Sequence, residues 1–131
     1  MDNYSYDNWY LAGHSLGGAM AANYVAGAPD DFAGLIMLAA YPTKALVSEE
    51  LKVLSVYGNK DTVLNKEKLE AGSEFVPEHY TEIGLGGANH AGFANYGPQE
   101  GDGDATMERE KQQEMTVHYI VQMIQKTYEE K

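Results

Sequence analysis

A serine at position 15 lies in the pattern Gly-x-Ser-x-Gly, which occupies residues 13–17. The apolar run Trp9–Ala12 precedes this pattern, and an alanine-rich run follows it with no loop between them. A serine at so sharp a strand-to-helix turn has a strained backbone, and its hydroxyl stands clear of the sheet. Gly13 and Gly17 are expected because a Cβ at either position would collide with its neighbours. The pattern predicts a nucleophile elbow, with Ser15 as nucleophile and the Leu16 N–H as an oxyanion donor.

A nucleophilic serine needs a histidine to take its proton and a carboxylate to orient that histidine. Asp61 lies four residues after the third predicted strand, which ends at Tyr57, and His90 lies in a glycine-dense loop after the fourth. The carboxyl ends of parallel strands meet at one edge of a sheet, so both residues are expected near Ser15. The chain order Ser, Asp, His is also the order used with this elbow. We therefore predict a catalytic triad of Ser15, Asp61 and His90.

Other histidines compete for the role of base. His14 adjoins Ser15, but their side chains should diverge across the turn, so His14 is expected to pack or to support the site. His79 precedes the fourth strand and therefore lies at the wrong end of the sheet. His118 falls on the predicted buried stripe of the last helix.

Other carboxylates compete for the role of acid. Glu78, Glu82 and Asp102 remain alternatives, and Asp102 is the strongest because it shares the loop region after the last strand. The run Asp102-Gly103-Asp104, followed by Glu108, lacks the full ligand pattern of a calcium loop and is interpreted as a turn and a helix cap. No histidines have ligand spacing with each other or with carboxylates, so we predict neither a metal nor another cofactor.

Apolar periodicity predicts the elements that position these residues. Four short runs have strand character and alternate with helical segments, which indicates an α/β fold with a mostly parallel four-stranded sheet and flanking helices. The predicted strands are Trp9–Ala12, Gly34–Ala40, Lys52–Tyr57 and Tyr80–Ile83. The predicted helices are Leu16–Ala26, Asn65–Ala71 and a last helix that starts between Asp104 and Thr106 and ends near Tyr128.

Composition limits the class of protein. The 131 residues are expected to form a single domain, residues 1–131, with 44% hydrophobic content. A formal net charge of −11 opposes binding to nucleic acid or to an anionic membrane surface. The absence of cysteine excludes thiol catalysis and disulfides. The acidic start of the chain and the lack of a long apolar run predict a soluble, cytoplasmic protein.

The elbow Gly13–Gly18, the turn Tyr57–Asp61 and the loop Gly87–Phe93 together resemble the α/β-hydrolase fold. In detail they are similar to small bacterial carboxylesterase-type or dienelactone-hydrolase-like members, and the resemblance covers nearly the whole chain. It implies that Ser15 is the nucleophile, Asp61 the acid and His90 the base. Dienelactone hydrolases use a cysteine nucleophile, which this chain lacks, so a serine esterase of small acyl substrates is the closer comparison.

The chain also departs from that family. A full α/β-hydrolase has an eight-stranded sheet with its elbow after the fifth strand, so this chain resembles the C-terminal half. The loop that supplies the second oxyanion N–H, usually marked by His-Gly, has no counterpart here. The strand Trp9–Ala12 is then an unpaired edge, which predicts a homodimer through this edge or a separate chain that supplies the missing strands. A non-catalytic interaction module that retains the triad geometry is the alternative function.

Overall fold

A computed structural model of the chain describes residues 8–48, 50–77, 79–95 and 97–129. Four parallel strands form one sheet in the order β1-β2-β3-β4, and they span Tyr10–His14 (β1), Gly34–Leu38 (β2), Lys52–Gly58 (β3) and Tyr80–Leu85 (β4). The described residues also form three α-helices, at Leu16–Gly27 (α1), Lys66–Ala71 (α2) and Arg109–Glu129 (α3). Short 3₁₀ turns lie at Pro29–Asp31, Gly72–Phe75 and Ala91–Phe93. The predicted α/β fold with a parallel four-stranded sheet is confirmed.

The strand register aligns the carboxyl ends of the strands. His14 pairs with Leu38 across β1 and β2, and Gly58 pairs with Leu85 across β3 and β4. The turn that follows β1 and the loops that follow β3 and β4 therefore leave the sheet at one edge. These are the loops that carry the three residues of the predicted triad.

The core consists of two apolar layers, one on each face of the sheet. Successive strand residues point to opposite faces, so Leu35 and Met37 of β2 belong to one layer and Ile36 to the other. Helix α1 covers the first layer with Ala21, Ala22 and Val25. Helix α3 covers the second, where Met123 packs with Ile36 and its neighbours. Burial of each large apolar side chain contributes about 1.5–3 kcal/mol, and the two layers hold the site loops over a rigid sheet.

Helix α3 differs from the sequence prediction in its start and in its buried face. It begins at Arg109, because the amides of Thr106 and Met107 both donate to the Gly87 carbonyl and hold the preceding segment against the glycine-rich loop. His118, predicted to be buried, is exposed. The face turned inward instead carries the polar residues Gln112 and Thr116, together with Met123. The predicted stripe was therefore wrong at His118, whereas Met115, Tyr119 and Ile120 of α3 do pack against the core.

No helix in the described ranges combines the length and the apolar character needed to cross a membrane.

Candidate active site

The elbow places Ser15 between β1 and α1 with no intervening residue. Its backbone has φ 58° and ψ −124°, a left-handed conformation that costs a non-glycine residue on the order of 1–3 kcal/mol. The Ser15 N–H donates to the Leu38 carbonyl at 2.9 Å, which ties the turn to the end of β2. The strain predicted for a nucleophile elbow is therefore present, and neighbouring strands hold it in place.

Close approach of strand and helix explains two of the glycines around Ser15. A Cβ at Gly13 would overlap the backbone of Gly17, and a Cβ at Gly18 would lie 2.6 Å from the Cβ of Ala40. A Cβ at Gly17, in contrast, would meet no atom within 4 Å. The expectation that Gly17 is sterically required is therefore wrong, because its α-carbon faces open space and Gly18 makes the tight contact instead.

The three residues predicted to form a triad lie in one hydrogen-bonded row. The His90 Nε2 and Ser15 Oγ atoms are 2.8 Å apart, and the His90 Nδ1 and Asp61 Oδ2 atoms are 2.7 Å apart. The Asp61 carboxylate only accepts, so Nδ1 carries the ring proton. In the neutral ring Nε2 is then unprotonated and accepts from the Ser15 hydroxyl. This geometry can withdraw a proton from Ser15 as its oxygen attacks an electrophile.

Asp61 is buried, with 1% of its surface exposed. Its Oδ1 accepts from the N–H groups of Val63 and Leu64, each at 2.8 Å, while Oδ2 faces His90. Burial acts to raise the pKa of Asp61. The hydrogen bonds from His90 and from the two amides outweigh that effect and lower the pKa below its usual value. The carboxylate therefore stays ionised at neutral pH and is oriented toward the histidine.

Asp102, the strongest alternative acid in the sequence, binds the main chain of His90 and not its ring. Its Oδ1 accepts from the His90 N–H at 3.1 Å and its Oδ2 from the Ala91 N–H at 2.9 Å. Oδ1 also accepts from the N–H of Gly103 at 2.9 Å. Asp102 therefore braces the loop that carries the histidine, a role distinct from the cap suggested by its sequence context.

His14 supports the same loop from the end of β1. Its Nε2 donates to the His90 carbonyl at 2.8 Å, and its ring centroid lies 5.0 Å from that of His90. Burial lowers the pKa of His14, although the hydrogen bond to the carbonyl acts to raise it. A neutral His14 places no positive charge beside His90. This agrees with the supporting role expected for His14.

The remaining alternatives lie away from the row or outside the described residues. His79 directly precedes β4, at the end of the sheet opposite the site, and it is exposed. Glu82 is an exposed residue within β4. Glu78 lies outside the described residues. Within the described ranges, no cluster of three histidine or acidic side chains could hold a metal ion.

Leu16 is the first residue of α1, so its N–H is one of the four at the helix start that lack an intrahelical acceptor. The helix dipole adds partial positive charge at the same place, directly beside Ser15. The Leu16 side chain is 72% exposed. Its N–H is thus suitably placed in the chain to meet negative charge that develops next to the serine.

Comparison with known proteins identifies the family. The model of the "Alpha/beta hydrolase family" matches residues 1–114 of the chain. The chain belongs to the alpha/beta hydrolase family. A search of curated protein sequences found no match.

Solved structures of other hydrolases share this fold. A predicted CIB-like hydrolase from Thermoplasma acidophilum matches with a TM-score of 0.59 at 20% identity, over 86% of this chain and 50% of that one. An alpha-beta serine hydrolase homologue from Coxiella burnetii matches with a TM-score of 0.52 at 25% identity, over 68% of this chain and 44% of that one. The monoacylglycerol lipase of Paleococcus ferrophilus matches with a TM-score of 0.60 at 17% identity, over 88% of this chain and 69% of that one. This alpha/beta hydrolase chain thus spans about half the length of the first structures it matches, and the resemblance drawn from the sequence, to part of an α/β-hydrolase fold, is confirmed.

Sequence reasoning missed Gln112, a buried glutamine of α3 that contacts the residue before His90. The available signal was its spacing of four residues from Thr116 and eleven from Met123, which places all three on one helix face. Because Gln112 and Thr116 are polar, the apolar pattern of α3 does not include this face.

Proposed function

We propose that this alpha/beta hydrolase is a serine hydrolase that cleaves a small ester, thioester or amide through an acyl-enzyme. The observation that supports this most directly is the row Ser15–His90–Asp61, with contacts of 2.8 Å and 2.7 Å and a ring tautomer that leaves Nε2 free to accept a proton. A serine in a strained elbow and an ionised carboxylate behind the histidine are the requirements of that chemistry.

The proposed reaction has two steps. Ser15 Oγ attacks the substrate carbonyl carbon while His90 Nε2 takes the hydroxyl proton, and the Leu16 N–H donates to the oxyanion that forms. The carbon–leaving-group bond then breaks, and the leaving group takes the proton from Nε2. Water attacks the acyl-Ser15 ester in the second step, with His90 again accepting and returning a proton, and the acid product leaves.

A fluorophosphonate probe tests this proposal, because it forms a covalent adduct only with an activated serine. We expect labelling of the purified chain, loss of labelling in Ser15→Ala, and unchanged labelling in the control Ser73→Ala. Ser73 is exposed and lies in the 3₁₀ turn after α2, outside the row. An adduct on any other serine, or no adduct on a folded sample, would contradict the catalytic proposal.

The alternative proposal is a non-catalytic or half-enzyme module that retains the triad geometry. The chain spans 50% of the first solved structure and 44% of another. Loss of one oxyanion donor typically lowers the rate by about 10²–10³, so a chain with the Leu16 N–H alone would be a slow catalyst. Probe labelling of Ser15 with a slow but measurable turnover favours the hydrolase, and a folded, unreactive chain favours the module.

We further propose that the chain associates through the surface around β1. Within the described residues β1 pairs only with β2, so its other side is an edge of the sheet. Helix α1 packs on β1 and β2, and it exposes apolar side chains at helical spacing, namely Leu16 (72%), Met20 (62%) and Tyr24 (68%). An open strand edge beside exposed apolar side chains is typical of a surface that binds another chain. A two-fold homodimer is the simplest form, and a separate chain that supplies further strands is the alternative.

Light scattering on the purified protein distinguishes these forms of association. We expect a dimer that dissociates in Met20→Lys and Tyr24→Lys and persists in the control Val47→Lys, which alters a side chain 76% exposed in the β2–β3 connection. A stable wild-type monomer at micromolar concentration would refute the homodimer. The cytoplasmic location inferred from the sequence stays a prediction.

A further inference from the structure

Gln112 is a fully buried amide side chain, 0% exposed, on the inward face of α3. Its Nε2 donates to the Asn89 carbonyl at 2.9 Å, and its Oε1 accepts from the Asn89 N–H at 3.4 Å. Both polar groups of the Gln112 side chain therefore form hydrogen bonds with the main chain of one residue. That residue directly precedes His90.

The contact ties the histidine loop to a rigid element. Thr116, one turn along α3, donates from Oγ1 to the Gln112 carbonyl at 2.7 Å, and Met123 of the same helix packs in the core beneath the sheet. Asp102 also braces the loop, but it belongs to an irregular segment. Gln112 is thus a side chain that connects the residue before His90 to a long helix anchored in the core.

The loop is shaped to receive this amide. A Cβ on Gly92 would overlap the Gln112 side-chain amide, so the glycine lets the 3₁₀ turn Ala91–Phe93 lie directly against it. A buried amide without hydrogen-bond partners lowers the stability of the fold by about 1–3 kcal/mol. An apolar residue carries no such penalty and would suit this position better if it only had to fill space. Burial, paired hydrogen bonds to the N–H and C=O of Asn89 and the absence of a Cβ at Gly92 together point to a role in placing the loop.

We propose that Gln112 is a positioning residue that holds the Asn89–His90 main chain so that the His90 ring reaches both Ser15 and Asp61. The inference rests on the proposed function only for its kinetic consequence. A displacement of about 1 Å at a reacting group lowers a rate by as much as 10²-fold, so release of this loop is expected to slow proton transfer. Gln112 is fully buried and cannot itself contact a substrate, so the loss is expected to fall on kcat, with KM unchanged.

The first experiment compares Gln112→Met with Gln122→Met. Methionine matches glutamine in length and cannot make the paired hydrogen bonds, and Gln122 is an exposed residue of the same helix. We expect Gln112→Met to lower the rate constant for fluorophosphonate labelling, and kcat for a small ester, by about 10- to 100-fold. Gln122→Met is expected to stay within twofold of the wild type. Equal rates in the two folded variants would overturn the proposal.

A second readout does not depend on activity. In ¹⁵N-histidine protein, the His90 Nδ1 proton in its 2.7 Å contact with Asp61 is expected to give a downfield NMR resonance that reports the ring position. We expect Gln112→Met to broaden or shift this resonance and Gln122→Met to leave it unchanged. If the wild type shows the resonance but reacts with no probe, the proposed function fails and the role of Gln112 is still decided by NMR. A resonance identical in wild type and Gln112→Met would overturn the proposed positioning role of Gln112.

A variant of the histidine loop, Gly92→Ala, tests the same contact if Gln112→Met does not fold. Gly92→Ala introduces a Cβ that displaces the Gln112 amide while the helix itself keeps its sequence. We expect the same fall in kcat, the same unchanged KM and the same change in the His90 resonance. Wild-type kinetics and an unchanged resonance in Gly92→Ala would contradict the proposal.

Discussion

Replacement of Asp61 by asparagine removes the carboxylate that faces His90 and keeps the neighbouring hydrogen bonds. Asparagine retains a carbonyl oxygen that can accept from the Val63 and Leu64 amides, now each 2.8 Å from Oδ1. The changed atom faces His90 Nδ1 across 2.7 Å, where an NH₂ group replaces a carboxylate oxygen. Two donors would then oppose each other, so the ring is expected to move its proton to Nε2 and to accept at Nδ1. A protonated Nε2 cannot take the proton of Ser15.

The expected loss is large because the wrong tautomer removes the base and not merely an orienting contact. In serine proteases the equivalent change lowers kcat by about 10⁴-fold, which corresponds to about 5.4 kcal/mol of transition-state stabilisation. We expect a loss of about that size in the rate constant for probe labelling. The matched control Asp102→Asn alters a carboxylate that binds only main-chain N–H groups in the same loop, so a loss of about tenfold is expected there.

Stopped-flow or gel-based labelling kinetics at neutral pH measure both variants. If folded Asp61→Asn labels within tenfold of the wild type while Asp102→Asn loses most of its reactivity, the assignment of the acid is wrong and the tautomer argument fails with it.

The same variant has a pH signature in stability. The pKa of Asp61 is lower in the folded state than in the unfolded state, where it is about 3.9. The ionised carboxylate therefore stabilises the fold at pH values above the unfolded pKa. This stabilisation is lost as the pH falls through the folded pKa. Urea unfolding should therefore show Asp61→Asn to be less stable than the wild type at pH 7 by about 1.5–3 kcal/mol, the contribution of a hydrogen bond to a charged group. The difference should shrink below about pH 4. A difference that stays constant with pH would show that the carboxylate charge is not what stabilises the contact.

Three further predictions follow from the site. Gly13→Ala should destabilise the fold by about 1–3 kcal/mol through overlap with the elbow backbone, whereas Gly17→Ala should be neutral or stabilise α1 by up to about 1 kcal/mol, as measured by urea unfolding. His90→Ala should slow labelling of Ser15 by about 10²–10⁴-fold, because Ser15 then lacks its base; a folded variant that labels at the wild-type rate would contradict His90 as the base. His118→Ala should label at the wild-type rate, since His118 is exposed on α3, and a tenfold loss would show that the helix face has been misplaced.

Much of the fold could be predicted because its signals are local. The continuous apolar run at Gly34–Leu38 is what a parallel strand covered on both faces requires, and the run of small residues after Ser15 is what a helix packed closely on a sheet requires. Chain order then places Ser15, Asp61 and His90 after the first, third and fourth strands of one parallel sheet. Since parallel strands end at the same edge, the sequence alone could predict that the three side chains meet.

Tertiary structure alone decided which polar groups brace that row. The sequence around Asp102 is compatible with a contact to the ring of His90 and with a contact to its main chain. Only the path of the loop in the folded chain makes Asp102 accept from the His90 and Ala91 amides. The inward face of α3 was likewise undetermined, because the energy of burying Gln112 depends on whether a peptide group lies opposite it. That peptide belongs to Asn89, which lies 23 residues away in the chain. A contact between residues so far apart is set by how the sheet and α3 pack, so no local pattern contains it.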